Sequence, residues 1–184
     1  GGLDIGFVPG EGGLSTAQML EPGALDVAFL LGVDEIDVPD GAFVIYQGTH
    51  GDRGAHRADV ILPGATYTEK SGTYVNTEGR VQLGERAGFP PGEAREDWAI
   101  LRALSAQLGA QLPYDSLGEL RAALYEVHPH MAEIDGIAAG DGSGVDALAK
   151  LGGKPDSAAF HNAVSDFYMT NPIARASATM AECS

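Results

Sequence analysis

Three short apolar runs set the pattern of the first third of the chain. They are Val27-Ala28-Phe29-Leu30-Leu31, Phe43-Val44-Ile45-Tyr46-Gln47 and Asp59-Val60-Ile61-Leu62, ended by Gly32, Gly48 and Pro63-Gly64. Runs without polar alternation, rich in β-branched and aromatic residues, read as strands buried on both faces, the habit of parallel sheets. On that reading Ile61 belongs in the core. Each connection between runs holds 11 residues, just enough for a crossover carrying a short helix. The pattern therefore predicts an open, mainly parallel α/β sheet with flanking helices.

After Gly64 the periodicity changes. Thr73-Tyr74-Val75-Asn76 and Arg80-Val81-Gln82-Leu83 flank Thr77-Glu78-Gly79, the form of a bulged hairpin with Gly closing its turn. A helix is predicted over 94–108, with Trp98, Leu101, Leu104 and Leu108 on one stripe and Gly109 as its C-terminal cap. Ser116 and Glu119 have capping-box spacing ahead of Leu117, Leu120, Leu124 and Val127, and Pro129 closes that helix. Residues 136–151 are Gly-rich and read mostly as loop. Asn171-Pro172 opens one last short helix with Ile173, Ser177 and Met180 on a face. This divides the chain into a sheet part, residues 1–92, and a helical, irregular part, residues 93–184.

Charge narrows the function. The 184 residues carry 11 basic and 26 acidic side chains, a net charge of −15. That balance excludes a nucleic-acid partner, which requires a basic patch to displace counterions, and it disfavours an anionic membrane surface. No apolar run approaches the roughly 18–20 residues of a membrane span, so no direct membrane insertion is expected. From residue 1 to residue 50 every charged residue is acidic, and the balance returns to acid beyond Arg102. The chain opens Gly1-Gly2-Leu3-Asp4 with neither Met nor the apolar core of a signal peptide, and is expected to continue a longer polypeptide. One cysteine, Cys183, excludes an internal disulfide and any Cys-ligated metal cluster within this stretch.

Candidate chemistry is sparse. His50-Gly51-Asp52 with His56 is the most ligand-like group, two imidazoles and a carboxylate, but its spacing reads as a polar loop with no helix to fix two ligands. Loops beyond the carboxyl ends of parallel strands are where α/β folds bind ligands, which marks residues 32–35 and 48–52. Glu69-Lys70-Ser71-Gly72-Thr73 lacks the spacing of a phosphate loop and reads as a local Glu–Lys pair beside a turn. Asp141-Gly142-Ser143-Gly144-Val145-Asp146 lacks the Gly and Glu of a calcium loop. No catalytic residue and no metal site emerge from the residues alone.

Three stretches carry a resemblance: Phe43 to Asp52, Ala58-Asp59-Val60-Ile61-Leu62-Pro63-Gly64-Ala65, and Thr68 to Gln82 with its Gly72-Thr73-Tyr74-Val75-Asn76-Thr77-Glu78-Gly79-Arg80 core. They resemble the large iron–sulfur subunit family of respiratory complex I, the G-type subunit of NADH–quinone oxidoreductase in its mitochondrial-like form. Pro91-Gly92-Glu93-Ala94-Arg95-Glu96-Asp97-Trp98 and residues 166–177 are similar to the same family, the latter to its C-terminus. The resemblance implies a relic molybdopterin-oxidoreductase-like domain, followed by a helical and loop-rich C-terminal region. It implies a non-catalytic structural segment, with 4Fe–4S and 2Fe–2S clusters held elsewhere in the parent subunit. It also implies other peripheral-arm subunits as partners, on the matrix or bacterial cytoplasmic side of the inner membrane. If a pterin site survives, the matching positions are Gly32, Val33, Gly48, His50 and Asp52. A cofactor-binding part of a molybdopterin-dependent oxidoreductase, or an independent acidic protein-binding module, are the alternatives.

Overall fold

A computed structural model describes residues 1–137, 142–154 and 156–184. The chain divides into two compact units, Gly1–Gly136 and Ile137–Ser184.

The first unit is built on strands β1 (Val27–Leu31), β2 (Phe43–Gly48) and β3 (Val60–Pro63), all parallel in the order β1-β2-β3. The expected α/β class and its strands are thus found. Register pairs Ala28 with Val44 and Leu30 with Tyr46. Side chains alternate across a strand, so these four share one face, and they form the buried core with Val38. Leu20, Leu25, Ile36, Ala42, Ala55 and Ala58 pack against it.

The opposite face departs from expectation. Val27, Phe29, Leu31, Phe43 and Val60 stand on it by register, and all are 37–55% exposed. Cover on this face is therefore partial: Gln47 at its end is fully buried, whereas these five side chains stand half-exposed. The edge strand β3 is also less buried than its composition suggests, and Ile61 is 53% exposed.

The two crossovers differ. The β2–β3 connection carries the short helix α2 (Arg53–Arg57), following α1 (Thr16–Met19) in chain order. The β1–β2 connection has no helix, contrary to expectation. Its residues explain this: Pro39 cannot donate to a helix ladder, and Gly32 and Gly41 turn the chain at φ +64° and +104°. Helix α1 lies outside the predicted elements, although Ser15 and Gln18 form a complete capping box around it.

Arg57, at the end of α2, ties both crossovers together. Its Nη2 donates to the Ala42 and Pro39 carbonyls at 3.0 and 3.2 Å. Asp59 then accepts from the Val44 backbone N–H at 2.7 Å.

Strands β4 (Gly72–Val75) and β5 (Val81–Gly84) form the predicted hairpin, antiparallel with Val75 opposite Val81. Asn76 Oδ1 accepts from the N–H groups of Glu78 and Arg80, both at 3.0 Å, and Gly79 takes φ +83°. Arg95 then bridges to Gly64 at the end of β3, with Ala65 donating to the Arg95 carbonyl and Arg95 to that of Pro63.

Helix α3 (Asp97–Gln107) begins three residues later than predicted, since Ala94 closes a turn onto Pro91 and Arg95 is held in this strand-like pairing. Gly109 follows it at φ +74°, as a C-terminal cap should. Helix α4 (Leu117–Val127) is capped by Ser116, which accepts from the Glu119 N–H at 3.2 Å. The capping box is not reciprocal. Glu119 reaches one residue further back, to the Asp115 N–H at 2.6 Å.

In the second unit, helix α5 (Ser143–Ala149) occupies part of the stretch read as loop. Its Val145, Ala147, Leu148 and Ala149 supply enough helix-forming side chains to outweigh the glycines around them. Asp141, which opens the calcium-like segment, lies outside the described residues. The last helix is two, α6 (Pro172–Arg175) and α7 (Ala178–Cys183). Asn171 caps the first as expected, and Ser177 caps the second by accepting from the Met180 N–H at 3.3 Å. Hydrogen bonds from Ser184 and from the Met169 and Tyr168 backbones hold the Asp166 carboxyl below its ordinary value.

Val44 is fully buried in the middle strand. We expect Val44→Asp to lower stability by more than about 4 kcal/mol in urea unfolding of the chain, through an unpaired buried charge. Ile61→Asp, on the half-exposed edge strand, is expected to cost less than about 1 kcal/mol.

Candidate functional site

The carboxyl ends of β1 and β2 release two loops, and one side chain joins them. Asp34, just beyond β1, is 4% exposed. Its carboxylate accepts from the N–H of Asp52 at 2.6 Å and of Ala55 at 3.2 Å, groups in the loop after β2 and in α2. These are N–H groups at the start of a helix, which have no partner within it. Asp34 thereby acts as a cap supplied from the neighbouring strand. Close approach requires Gly54, where a Cβ would lie 3.0 Å from both Asp34 Oδ1 and the Val33 carbonyl.

Tyr46 packs beneath this junction. Its hydroxyl donates to the His50 carbonyl at 2.9 Å, and a Cβ at Gly48 would strike its ring. Burial, then the nearby Asp34 and Asp52 carboxylates, raise the Tyr46 phenol above its ordinary value of 10.0.

The five sequence-predicted positions sit around this junction without converging on a ligand. Gly32 donates to the Gln47 carbonyl at 2.8 Å, and the Gly48 carbonyl accepts from Gly64 at the same distance. Val33 and His50 are exposed, with His50 Nδ1 3.2 Å from Thr49 Oγ1. Asp52 gives its backbone N–H to Asp34. His56 lies on α2 rather than in a loop, and it is exposed. Among the described residues no three His, Cys, Asp or Glu side chains are grouped to hold a metal ion.

A cleft of about 280 Å³ opens beside His50, lined also by Gly64, Glu69 and Glu93. Among the described residues no lysine or arginine lines it. A pterin dinucleotide carries phosphates, which two carboxylates repel and no cation neutralises. The space beside Gly48, Gly51 and Gly54 is filled by the chain's own Tyr46, Ala55 and Asp34, while that beside Gly32 is open. Among the described residues, this cleft offers the phosphates of such a cofactor no lysine or arginine.

A second polar cluster escapes the sequence pattern. Lys70 pairs with Asp97 rather than with Glu69, whose carboxylate instead accepts from the Thr66 N–H at 3.1 Å. Asp97 Oδ1 also accepts from Gln47 Nε2 at 3.0 Å. Gln47 is fully buried, and its Oε1 has no partner among the described residues. The available signal is Gln47 itself, a polar residue ending an apolar strand, which must find partners when buried. Helix α3 supplies them, so its first turn seals one end of the otherwise bare sheet face.

Comparison with known proteins agrees with this architecture. The family profile described as molybdopterin oxidoreductase matches residues 1–107. The profile for the C-terminal region of the G-type subunit of NADH-ubiquinone oxidoreductase matches residues 129–183. The chain is 51% identical over 168 residues to the mitochondrial NADH-ubiquinone oxidoreductase 78 kDa subunit of Candida albicans, covering 84% of this chain and 23% of that protein. It is 46% identical over 166 residues to the protein of the same name from Neurospora crassa, covering 85% and 22%. It is 43% identical over 185 residues to the mitochondrial NADH dehydrogenase (ubiquinone) iron-sulfur protein 1 of Solanum tuberosum, covering 99% and 24%. The chain thus spans less than a quarter of the length of the curated relatives it matches.

Removing the Asp34 carboxylate strands two N–H groups, each costing about 1–3 kcal/mol when buried. Asp34→Ala is expected to lower stability by about 2–4 kcal/mol in urea unfolding. It should also speed amide exchange at Asp52 and Ala55 before the sheet itself exchanges.

Proposed function

Because the chain belongs to the molybdopterin oxidoreductase family, with closing residues that match the C-terminal family of the G-type complex I subunit, we propose that it is a structural, non-catalytic segment of the iron–sulfur subunit of complex I. The parent subunit passes electrons from NADH toward quinone through iron–sulfur clusters bound outside these 184 residues. The segment folds against the rest of that subunit and braces it among its neighbours in the peripheral arm. It lies peripheral to the inner membrane, on the matrix or bacterial cytoplasmic side. No helix among the described residues is long and apolar enough to cross a membrane.

The observation that carries this reading is the bare face of the sheet. Parallel sheets occur almost only with both faces covered. Here Val27, Phe29, Leu31, Phe43 and Val60 stand uncovered on one of them. The curated relatives are more than four times longer than the part matched here. They contain ample polypeptide to supply the missing layer.

A second reading, a pterin-binding part of a molybdenum oxidoreductase, draws on the profile match over residues 1–107. The acidic cleft at Glu69 and Glu93 and the self-satisfied Asp34 junction weigh against it.

The two readings separate in the full-length subunit. We expect iron in the purified protein and neither molybdenum nor extractable pterin. Paired substitution His50→Ala and Asp52→Ala should leave iron content and the NADH-to-quinone rate of the assembled complex within about twofold. Stoichiometric pterin that disappears on this substitution would establish the second reading instead.

A further inference from the structure

Among the described residues, Arg121 is a cation without a counter-charge. It stands in the middle of α4, and its Nε and Nη2 are buried with no hydrogen-bond partner among those residues. It lines a cleft of about 350 Å³ between the β4–β5 hairpin and helices α3 and α4. The walls around it are largely apolar: Tyr74, Trp98, Leu117, Leu120 and Leu124.

Two carboxylates also line this cleft, and both are engaged elsewhere. Asp97 is held by Lys70 and Gln47. Glu96 accepts from Trp98 Nε1 at 2.7 Å and pairs with Arg86 at 3.4 Å. Each acid at the site therefore has its own cation, and the Arg121 charge is left uncompensated. Scarcity does not explain this, since acidic residues outnumber basic ones 26 to 11.

Arg121 is half-buried, and its two guanidinium nitrogens removed from water without acceptors are unfavourable. Arginine's planar fork matches a carboxylate in bidentate geometry. The apolar walls add a requirement for apolar groups on either side of that carboxylate.

We propose that this cleft is a docking site for a polypeptide segment from outside the 184 residues, which inserts an Asp or Glu side chain flanked by apolar residues and pairs it with Arg121. The inference rests on the reading of the chain as one part of a larger assembly. It adds the place of contact and the chemistry of the contacting segment. A polypeptide fits better than a free small acid because the leucine-lined walls need apolar cover as well as charge. One hydrophobically flanked acidic side chain provides both.

The test is made in the full-length subunit within its assembled complex. A photo-reactive benzoylphenylalanine replaces Tyr74, an exposed aromatic on the cleft wall, and cross-linked peptides are identified by mass spectrometry. We expect a peptide from outside this chain containing Asp or Glu among apolar residues. Arg121→Gln should reduce its yield at least tenfold. Should that variant be poorly folded, the charge swap decides: Arg121→Glu combined with Arg at the identified acid should restore the yield. A cross-link lying wholly within this chain, a peptide lacking a carboxylate, a bound small-molecule acid, no cross-link, a yield indifferent to Arg121→Gln, or a failed swap would each overturn the proposal. Any of these, with iron present and pterin absent, would leave the structural-segment reading intact.

Discussion

Three parallel strands present side chains to both sides, and residues of the first unit cover one side while reaching the other only at Gln47. Ala28, Leu30, Val44 and Tyr46 are packed beneath loops and α2, while Val27, Phe29, Leu31, Phe43 and Val60 face outward. An antiparallel sheet tolerates one wet face by placing polar residues there, whereas a parallel sheet of continuous apolar strands has no such provision. The uncovered face is larger in consequence than scattered exposed leucines, because its residues are neighbours in one register. The fold therefore has the composition of a two-sided layer and the packing of a one-sided one.

The polar clusters are arranged to hold that layer in shape. Asp34 directs its carboxylate to the backbone of the next crossover, and Arg57 directs its guanidinium to the carbonyls of the preceding one. Asp97 brings the first turn of α3 onto Gln47 at the end of the middle strand. Each is a charge-assisted contact between segments distant in sequence, which fixes geometry more firmly than a neutral bond would. Among the described residues, no three His, Cys, Asp or Glu side chains are grouped to hold a metal ion. Where a cofactor-binding relative of this fold would need open loops and cationic groups, this chain has loops tied to one another and a cleft with two glutamates.

Much of this is legible in the sequence. The three strands, their parallel sense, the hairpin and the cap residues Gly109, Ser116 and Asn171 follow from the patterning of the sequence. Burial on both faces does not follow, because an apolar run records a strand's composition and not which neighbours cover it. Ile61 illustrates the gap: its strand is real, yet it is half-exposed at the sheet edge. The site is legible only as a location. Residues 32–35 and 48–52 lie beyond the carboxyl ends of β1 and β2 as expected, but the partnering of Asp34, and the choice of Asp97 over Glu69 by Lys70, depend on contacts 18 and 27 residues apart. The split of the last helix at Ser177 reflects a side chain that caps a helix where the pattern places it on a helical face.

The central claim is that the bare sheet face is an internal surface of a larger protein. Hydroxyl-radical footprinting of Phe29 and Phe43 in the intact full-length subunit addresses it most directly. The account predicts oxidation at least tenfold slower than for the same residues in the unfolded subunit. Oxidation at the rate of freely exposed phenylalanine would contradict it.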